Sequence, residues 1–328
     1  MTPRLRLLPA CALVLALAGC GGNQNTLAAK SHPEHEIANV FWVVFGVSCV
    51  GFGVIVLLLF LGWWRRERPS LPGGGGERAA TYVVIGMGVA LPIALLVALF
   101  VWSDLFVTGS TAAPAPGSTR MTIHVIGHQW WWEARYAGTN AVTANEIHIP
   151  VHTRVDVVVQ TADVIHSFWI PELNRKTDMI PGVKNNQLLI ADMPGVYRGQ
   201  CAEFCGLQHA HMAVEVIAQP RAAFDKWLAQ QGKPAEASNS RGAQLFQRES
   251  CSGCHTIRGT AADGDVGPDL THLASRTTIA ALTLSNTPAH LREWIEHPQE
   301  VKPGNKMPDL RLPDQDWNAL ASYLETLR

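Results

Sequence analysis

Two apolar runs, Val40–Trp64 and Tyr82–Phe106, constrain this chain more than any other feature. Each exceeds the roughly 20 residues that cross about 30 Å of hydrocarbon. Neither carries a charge before Asp104, as expected where a mid-membrane charge costs about 2.5–3.5 kcal/mol. A buried helix of a soluble domain is shorter. The runs predict two membrane-spanning helices, at about 40–64 and 82–106, inside an N-terminal segment of residues 20–110. Their connection reads Arg65-Arg66-Glu67-Arg68, then Pro and Gly, then Glu77-Arg78. Such arginines stay in the cytoplasm, so everything after the hairpin is expected on the outer face.

Residues 1–19 read as an export signal and agree with that orientation. Arg4 and Arg6 precede the apolar stretch Leu7–Ala18. Leu17-Ala18-Gly19-Cys20 resembles a bacterial lipoprotein cleavage box, which makes Cys20 a candidate for lipidation. A plain signal peptide or an uncleaved anchor is the alternative. The whole chain, 328 residues, is long enough for two or three units. Its 26 basic residues barely offset 27 acidic ones, so no basic surface is left to neutralise nucleic-acid phosphates.

Past an Ala/Pro/Gly/Ser-rich spacer at 110–118, the texture changes twice. Residues 119–219 look β-rich: Arg154-Val-Asp-Val-Val-Val-Gln160 and Ala213-Val-Glu-Val-Ile217 alternate or run β-branched, with turns at Pro181-Gly182 and Pro194-Gly195. That spacing predicts a small antiparallel sandwich or barrel. Residues 220–240 read as a helix, Arg221–Gln231, and a linker. Residues 241–328 read as helical, closing on a segment where Trp317, Leu320 and Leu324 share a face.

Of seven cysteines, Cys11 and Cys20 lie in the leader and Cys49 in an apolar run. The other four form two tight pairs. Exported domains often use cysteines as disulfides, but a histidine beside each pair favours metal or haem. Cys201-Ala-Glu-Phe-Cys205-Gly-Leu-Gln-His209-Ala-His-Met212 places thiolate, imidazole and thioether on one short loop. Soft thiolates and thioethers select copper, and imidazole also suits it. His166 ends a predicted strand from which it could be aimed at this loop. A Cys201–Cys205 disulfide or a mononuclear copper site are the competing readings; zinc has no use for the methionine. His211 reads as solvated or supporting, with a smaller claim to replace His209.

Here the chain resembles subunit II of cytochrome c oxidase over roughly residues 35–220. The matching segments are 201–212, Asp163-Val-Ile-His-Ser167, Lys176-Thr-Asp-Met-Ile-Pro-Gly182 and Gly127-His-Gln-Trp-Trp-Trp-Glu133, preceded by the hairpin. The resemblance implies an all-β, cupredoxin-like (Greek-key) domain holding a dinuclear copper (CuA) centre. In it Cys201 and Cys205 bridge two coppers and His166 and His209 bind one each. Met212 and the backbone carbonyl of Glu203 are the weak axial ligands. It further implies a magnesium ion shared with subunit I through the Glu203 side chain, and electron entry at Trp130, whose bland alternative is sheet packing. In one place the chain departs from the family: Ile85 stands where many members carry a glutamate of a proton channel.

Cys251-Ser-Gly-Cys254-His255 is the attachment motif for a c-type haem. It follows Gly242-Ala-Gln-Leu-Phe246 and precedes Gly267-Pro-Asp-Leu270 and Lys302-Pro-Gly-Asn-Lys-Met307-Pro308. That order resembles an all-α class I cytochrome c over residues 240–328. It implies one covalent haem c on Cys251 and Cys254, with His255 and Met307 as axial ligands. His272, His290 and His297 are the rivals to Met307, and read more naturally as surface or haem-edge residues.

The combined expectation is a two-pass protein of a bacterial plasma membrane with copper and haem domains outside. Its implied role is electron entry into a haem–copper oxidase that reduces oxygen and pumps protons. Its implied partners are subunits I and III and a donor such as cytochrome c. The competing readings are a nitrous-oxide-reductase-like copper protein, a copper-delivery protein and a quinol-using subunit. They call respectively for a further histidine-rich copper domain, no covalent haem, and lost copper ligands, none of which matches this sequence.

Overall fold

Residues 22–66, 76–115 and 117–328 are described by a computed structural model. The export signal, Cys20, Glu67 and Arg68 lie outside them. The chain divides into two units: residues 35–112, and residues 113–328 together with the described residues before 35.

The first unit is made by two long helices, α1 (His32–Arg65) and α2 (Glu77–Thr111). Both outrun the apolar stretches at either end, because the helix continues into polar flanks; Ser31 Oγ caps α1 by accepting from Glu34 N at 3.2 Å. In α2 the ladder passes Gly86, Gly88 and Pro92 with π-helical turns at Gly86–Ala90 and Ser103–Thr108. The apolar stretches of both helices are uncovered by protein, the condition a bilayer satisfies and water does not.

The second unit opens with ten strands in two five-stranded sheets. In order along the chain these are β1 (Thr122–His128), β2 (Trp131–Tyr136), β3 (Val142–Ala144), β4 (Glu146–Pro150), β5 (Val155–Thr161), β6 (His166–Trp169), β7 (Thr177–Met179), β8 (Asn185–Leu189), β9 (Gly195–Cys201) and β10 (Ala213–Gln219). One sheet runs β3-β2-β1-β5-β8 and the other β4-β10-β9-β6-β7. The predicted alternation is real: Val155, Val157 and Val159 are fully buried while their neighbours are not. The expected all-antiparallel pairing is not. β1 pairs with β5, and β4 with β10, in parallel, because the intervening chain crosses over instead of turning back. Alternation reports which face a residue takes and carries no strand direction.

Edge strand β4 is buried along its whole length. Helix α3 (Arg221–Gln231) covers it, with His148 stacked on Trp227 at 3.9 Å. Burial pushes the His148 imidazole down from its usual 6.5 to about 4. The ring is therefore neutral in the folded chain. As pH falls from about 6.5 to 4 the unfolded chain takes up a proton that the folded one refuses, so stability falls, by up to about 3 kcal/mol. Above that window the group has no effect. Denaturant titrations of wild type and His148→Phe at pH 7 and 4.5 are expected to show a smaller acid loss in the variant.

The haem-motif half contains α4 (Arg241–Arg248), α5 (Pro288–Glu296), the single turn α6 (Pro298–Val301) and α7 (Asp314–Leu324), with two short two-stranded pairs. Ser240 caps α4 by accepting from Ala243 N at 3.2 Å. α4 lies on α7, where Phe246 meets Tyr323 edge-on at 6.2 Å. Trp317, Leu320 and Leu324, predicted to share a face, are all buried. The segment read as a linker is bonded down: Ala235 N donates to Arg258 O at 2.8 Å, and His272 Nε2 lies 3.0 Å from Lys233 O. The two halves also meet directly. Thr277 donates through N and Oγ1 to Glu146 at 2.6 and 2.9 Å, and Arg258 reaches Asn140 O at 2.6 Å.

Candidate metal and haem sites

The sheet β4-β10-β9-β6-β7 assembles the first site at one end. Cys201 is the last residue of β9 and His166 the first of β6, and Phe168 stands opposite Cys201 in the register. The chain then leaves the sheet, loops through 202–212 and re-enters as β10. The neck of the loop is closed by Cys201 N donating to Met212 O at 3.0 Å and Ala202 N to Ser167 O at 2.9 Å.

Six donors converge. The Cys201 and Cys205 sulfurs lie 3.8 Å apart. His166 Nδ1 is 3.7 Å from the Cys201 sulfur, and His209 Nδ1 is 3.6 Å from that of Cys205. Glu203 O stands 3.2 Å from Cys201 Sγ, and Met212 Sδ 3.7 Å from Cys205 Sγ. Each sulfur therefore has one imidazole and one weak donor. Cys201, Cys205, His166 and Met212 are all buried. Sharing a proton with Cys205 holds the Cys201 thiol down, against its burial, and holds Cys205 up. The pair loses its first proton easily and its second only with a cation between the sulfurs. The donor set fits soft metal, and copper above all.

Asp163 fixes one of the two imidazoles. Its Oδ1 lies 2.9 Å from His166 Nε2, leaving Nδ1 to face the Cys201 sulfur. Burial favours protonation of Asp163, but His166 and the backbone N–H groups of Gln129 and Val164 outweigh it and hold the carboxyl well below its usual range. Asp163→Asn is expected to weaken copper binding roughly 10–100-fold, read by competition with a copper chelator. In the sequence Asp163 is visible only as the first residue of the segment ending at Ser167; its position three before His166 is the signal for its role.

His211, set aside as a supporting residue, turns to Gln208 Oε1 at 2.8 Å. The Glu203 side chain is half-exposed and lies 3.8 Å from Lys176. Trp130, expected on the surface, is buried at 9% exposure, and its Nε1 donates to Cys205 O at 3.1 Å. Trp132 is fully buried and packs edge-on against Phe168 at 5.6 Å.

The second site is an apolar cavity lined by Cys251, His255 and Met307 together with Phe246, Leu270 and Trp317. A covalent haem needs two thiols, an axial pair and an apolar wall; the lining supplies one thiol, an imidazole, a thioether and the apolar wall, and Cys254 follows Cys251 in the same turn, its N donating to Cys251 O at 3.1 Å. His255 Nδ1 is 2.8 Å from Pro268 O, which leaves Nε2 as the free ligand atom. Gly267 lies flat on the same ring: a Cβ there would meet His255 Cε1 at 2.5 Å. Met307 is fixed through its backbone, by Gln299 Nε2 to its O and by its N to Asn305 Oδ1, both at 2.7 Å. Among the rivals, His272 is buried, not at the surface, and is committed to Lys233 O; His290 Nδ1 is 3.0 Å from Ser285 O.

Comparison with known proteins agrees with both halves. Residues 141–219 match the family model of the periplasmic domain of cytochrome c oxidase subunit II, and residues 240–328 match cytochrome c. These families imply copper in the first domain and haem in the second. Cytochrome c oxidase subunit 2 of Alkalihalophilus pseudofirmus is 35% identical, over 98% of this chain and 97% of its own. The Bacillus subtilis subunit 2 is 27% identical over 100% and 99%. The periplasmic domain of subunit II of the Bradyrhizobium japonicum oxidase is 29% identical over 37% of this chain and 96% of its own, with a TM-score of 0.35. This chain belongs to the cytochrome c oxidase subunit 2 family, with a cytochrome c domain following the copper domain.

Proposed function

We propose that this protein is the electron-entry subunit of a haem–copper oxidase, with a dinuclear copper centre in residues 119–219 and a covalent haem c in residues 241–328. When bound, the haem takes single electrons from an outside donor such as cytochrome c, and the copper pair relays them towards subunit I for oxygen reduction coupled to proton pumping. The observation that carries this reading is the paired arrangement of Cys201 and Cys205, each with its own imidazole and weak donor. Cys201, Cys205, His166, His209, Met212 and Glu203 O would hold the copper pair, the two thiolates supplying the anionic charge and the two imidazoles, the thioether and the carbonyl the neutral donors. Cys251 and Cys254 would anchor the haem, and His255 and Met307 would be its iron ligands.

The chain's own residues set how little moves during transfer. Cys201 and His166 stand at strand ends, the neck of the loop carrying the other donors is closed by backbone bonds, and Asp163 and Pro268 orient the imidazoles of His166 and His255. We assign the outward side of a bacterial plasma membrane to both domains, with subunits I and III as partners. Glu203 is assigned to a magnesium ion shared with subunit I, Trp130 to electron transfer, and Cys20 to lipid attachment. The test is metal and haem analysis of the purified chain: two coppers, one covalent haem and a near-infrared copper band are expected. Haem with a single copper would overturn the paired centre.

A further inference from the structure

The loop that carries Met307 is fastened to the loop that carries the copper ligands. Lys302 is 3% exposed, and its Nζ donates to Trp130 O at 2.7 Å and Ala280 O at 3.3 Å. Trp130 Nε1 and Gln129 Nε2 in turn donate to Cys205 O, at 3.1 and 2.8 Å. Next to Lys302, Pro303 O accepts from Gln208 Nε2 at 2.7 Å. Gly304 follows at φ +80°, so close to Leu207 that a Cβ would meet its Cδ2 at 2.5 Å. Lys306 Nζ then reaches Asp163 Oδ2 at 3.4 Å, the same carboxylate that orients His166.

A buried amine is costly unless its protons find acceptors, and the shorter of the two Lys302 bonds, to Trp130 O, crosses the boundary between the two domains, while that to Ala280 O stays within the haem-motif half. We propose that Lys302 is a positioning residue, which with Gln208 clasps the Met307 loop onto Trp130 and the copper loop and so holds the two redox sites in one arrangement. This rests on the functional reading above. With Trp130 only 9% exposed and its carbonyl taken by the Lys302 side chain, a separate donor protein has no open Trp130 face to dock on and must deliver to the haem domain. Transfer between the sites then needs no domain search.

The test uses the full-length protein in detergent, wild type against Lys302→Met. The first readout is amide hydrogen exchange. Residues 302–307 and 129–130 are expected to exchange roughly tenfold faster or more in the variant, as a buried hydrogen bond across the interface is lost, while α7 stays unchanged. The second is haem-to-copper transfer after photoreduction. It is expected to be independent of viscosity in wild type, and in the variant to slow by a similar factor and become viscosity-dependent, as a step gated by domain motion does. Retained haem and copper bands show that the functional reading stands in either case. Unchanged exchange and unchanged transfer with both bands present would overturn the clasp. Should Lys302→Met lose the bands, Gln208→Ala decides by the same two readouts: faster exchange supports the clasp, and wild-type values reject it.

Discussion

Cys205→Ser is expected to remove the paired copper centre and leave the haem in place. A serine hydroxyl stays protonated at neutral pH, so it offers no anion to bridge two metals. His209 and Met212 then lose the sulfur they share. Cys201, with His166 and Glu203 O beside it, retains at most the donors for a single ion. Copper is expected to fall from two per chain to one or none, with loss of the near-infrared band. Even ligand-orienting residues cost 10–100-fold, so electron delivery to oxygen through the haem should fall on the order of a hundredfold or more. The haem cavity has no contact with the substituted sulfur, so the covalent haem spectrum and its reduction by a small reductant should be those of wild type. A variant that keeps two coppers would show that Cys205 is not a bridge.

Five of the six donors that the structure brings together were legible because they sit on one loop of a dozen residues, where spacing restricts the chemistry. His166 came from the Asp163–Ser167 segment, and the structure supplies the reason for that segment: the aspartate holds the ring that the strand presents. Other features were illegible for physical reasons. The parallel pairing of β1 with β5 depends on a crossover, which alternation cannot encode. The burial of Trp130 was illegible because its partners lie far along the chain, Cys205 at 75 residues and Lys302 at 172, beyond the reach of any local pattern. The segment after Gln231 read as a linker, and composition does not report that Ala235 and Lys233 bond to the haem-motif half through backbone atoms.

Met307→His is expected to lower the haem midpoint potential while leaving the copper centre as it is. A thioether favours ferrous iron, and an imidazole, the stronger donor, favours ferric. Axial ligands tune haem potentials over about 0.8 V, so a fall of roughly 0.2 V is a moderate claim. At about 59 mV per tenfold for one electron, that shifts the haem's equilibrium with any donor by about a thousandfold towards oxidised haem. The backbone bonds from Gln299 Nε2 and to Asn305 survive the substitution, so the loop keeps its course across Leu207 and Gln208. Reduction by a high-potential donor should therefore stall, while passage from haem to copper becomes more downhill. Redox titration followed at the haem absorbance measures the shift. A potential within about 30 mV of wild type, with the haem intact, would mean that another side chain occupies the sixth position and that Met307 only lines the cavity.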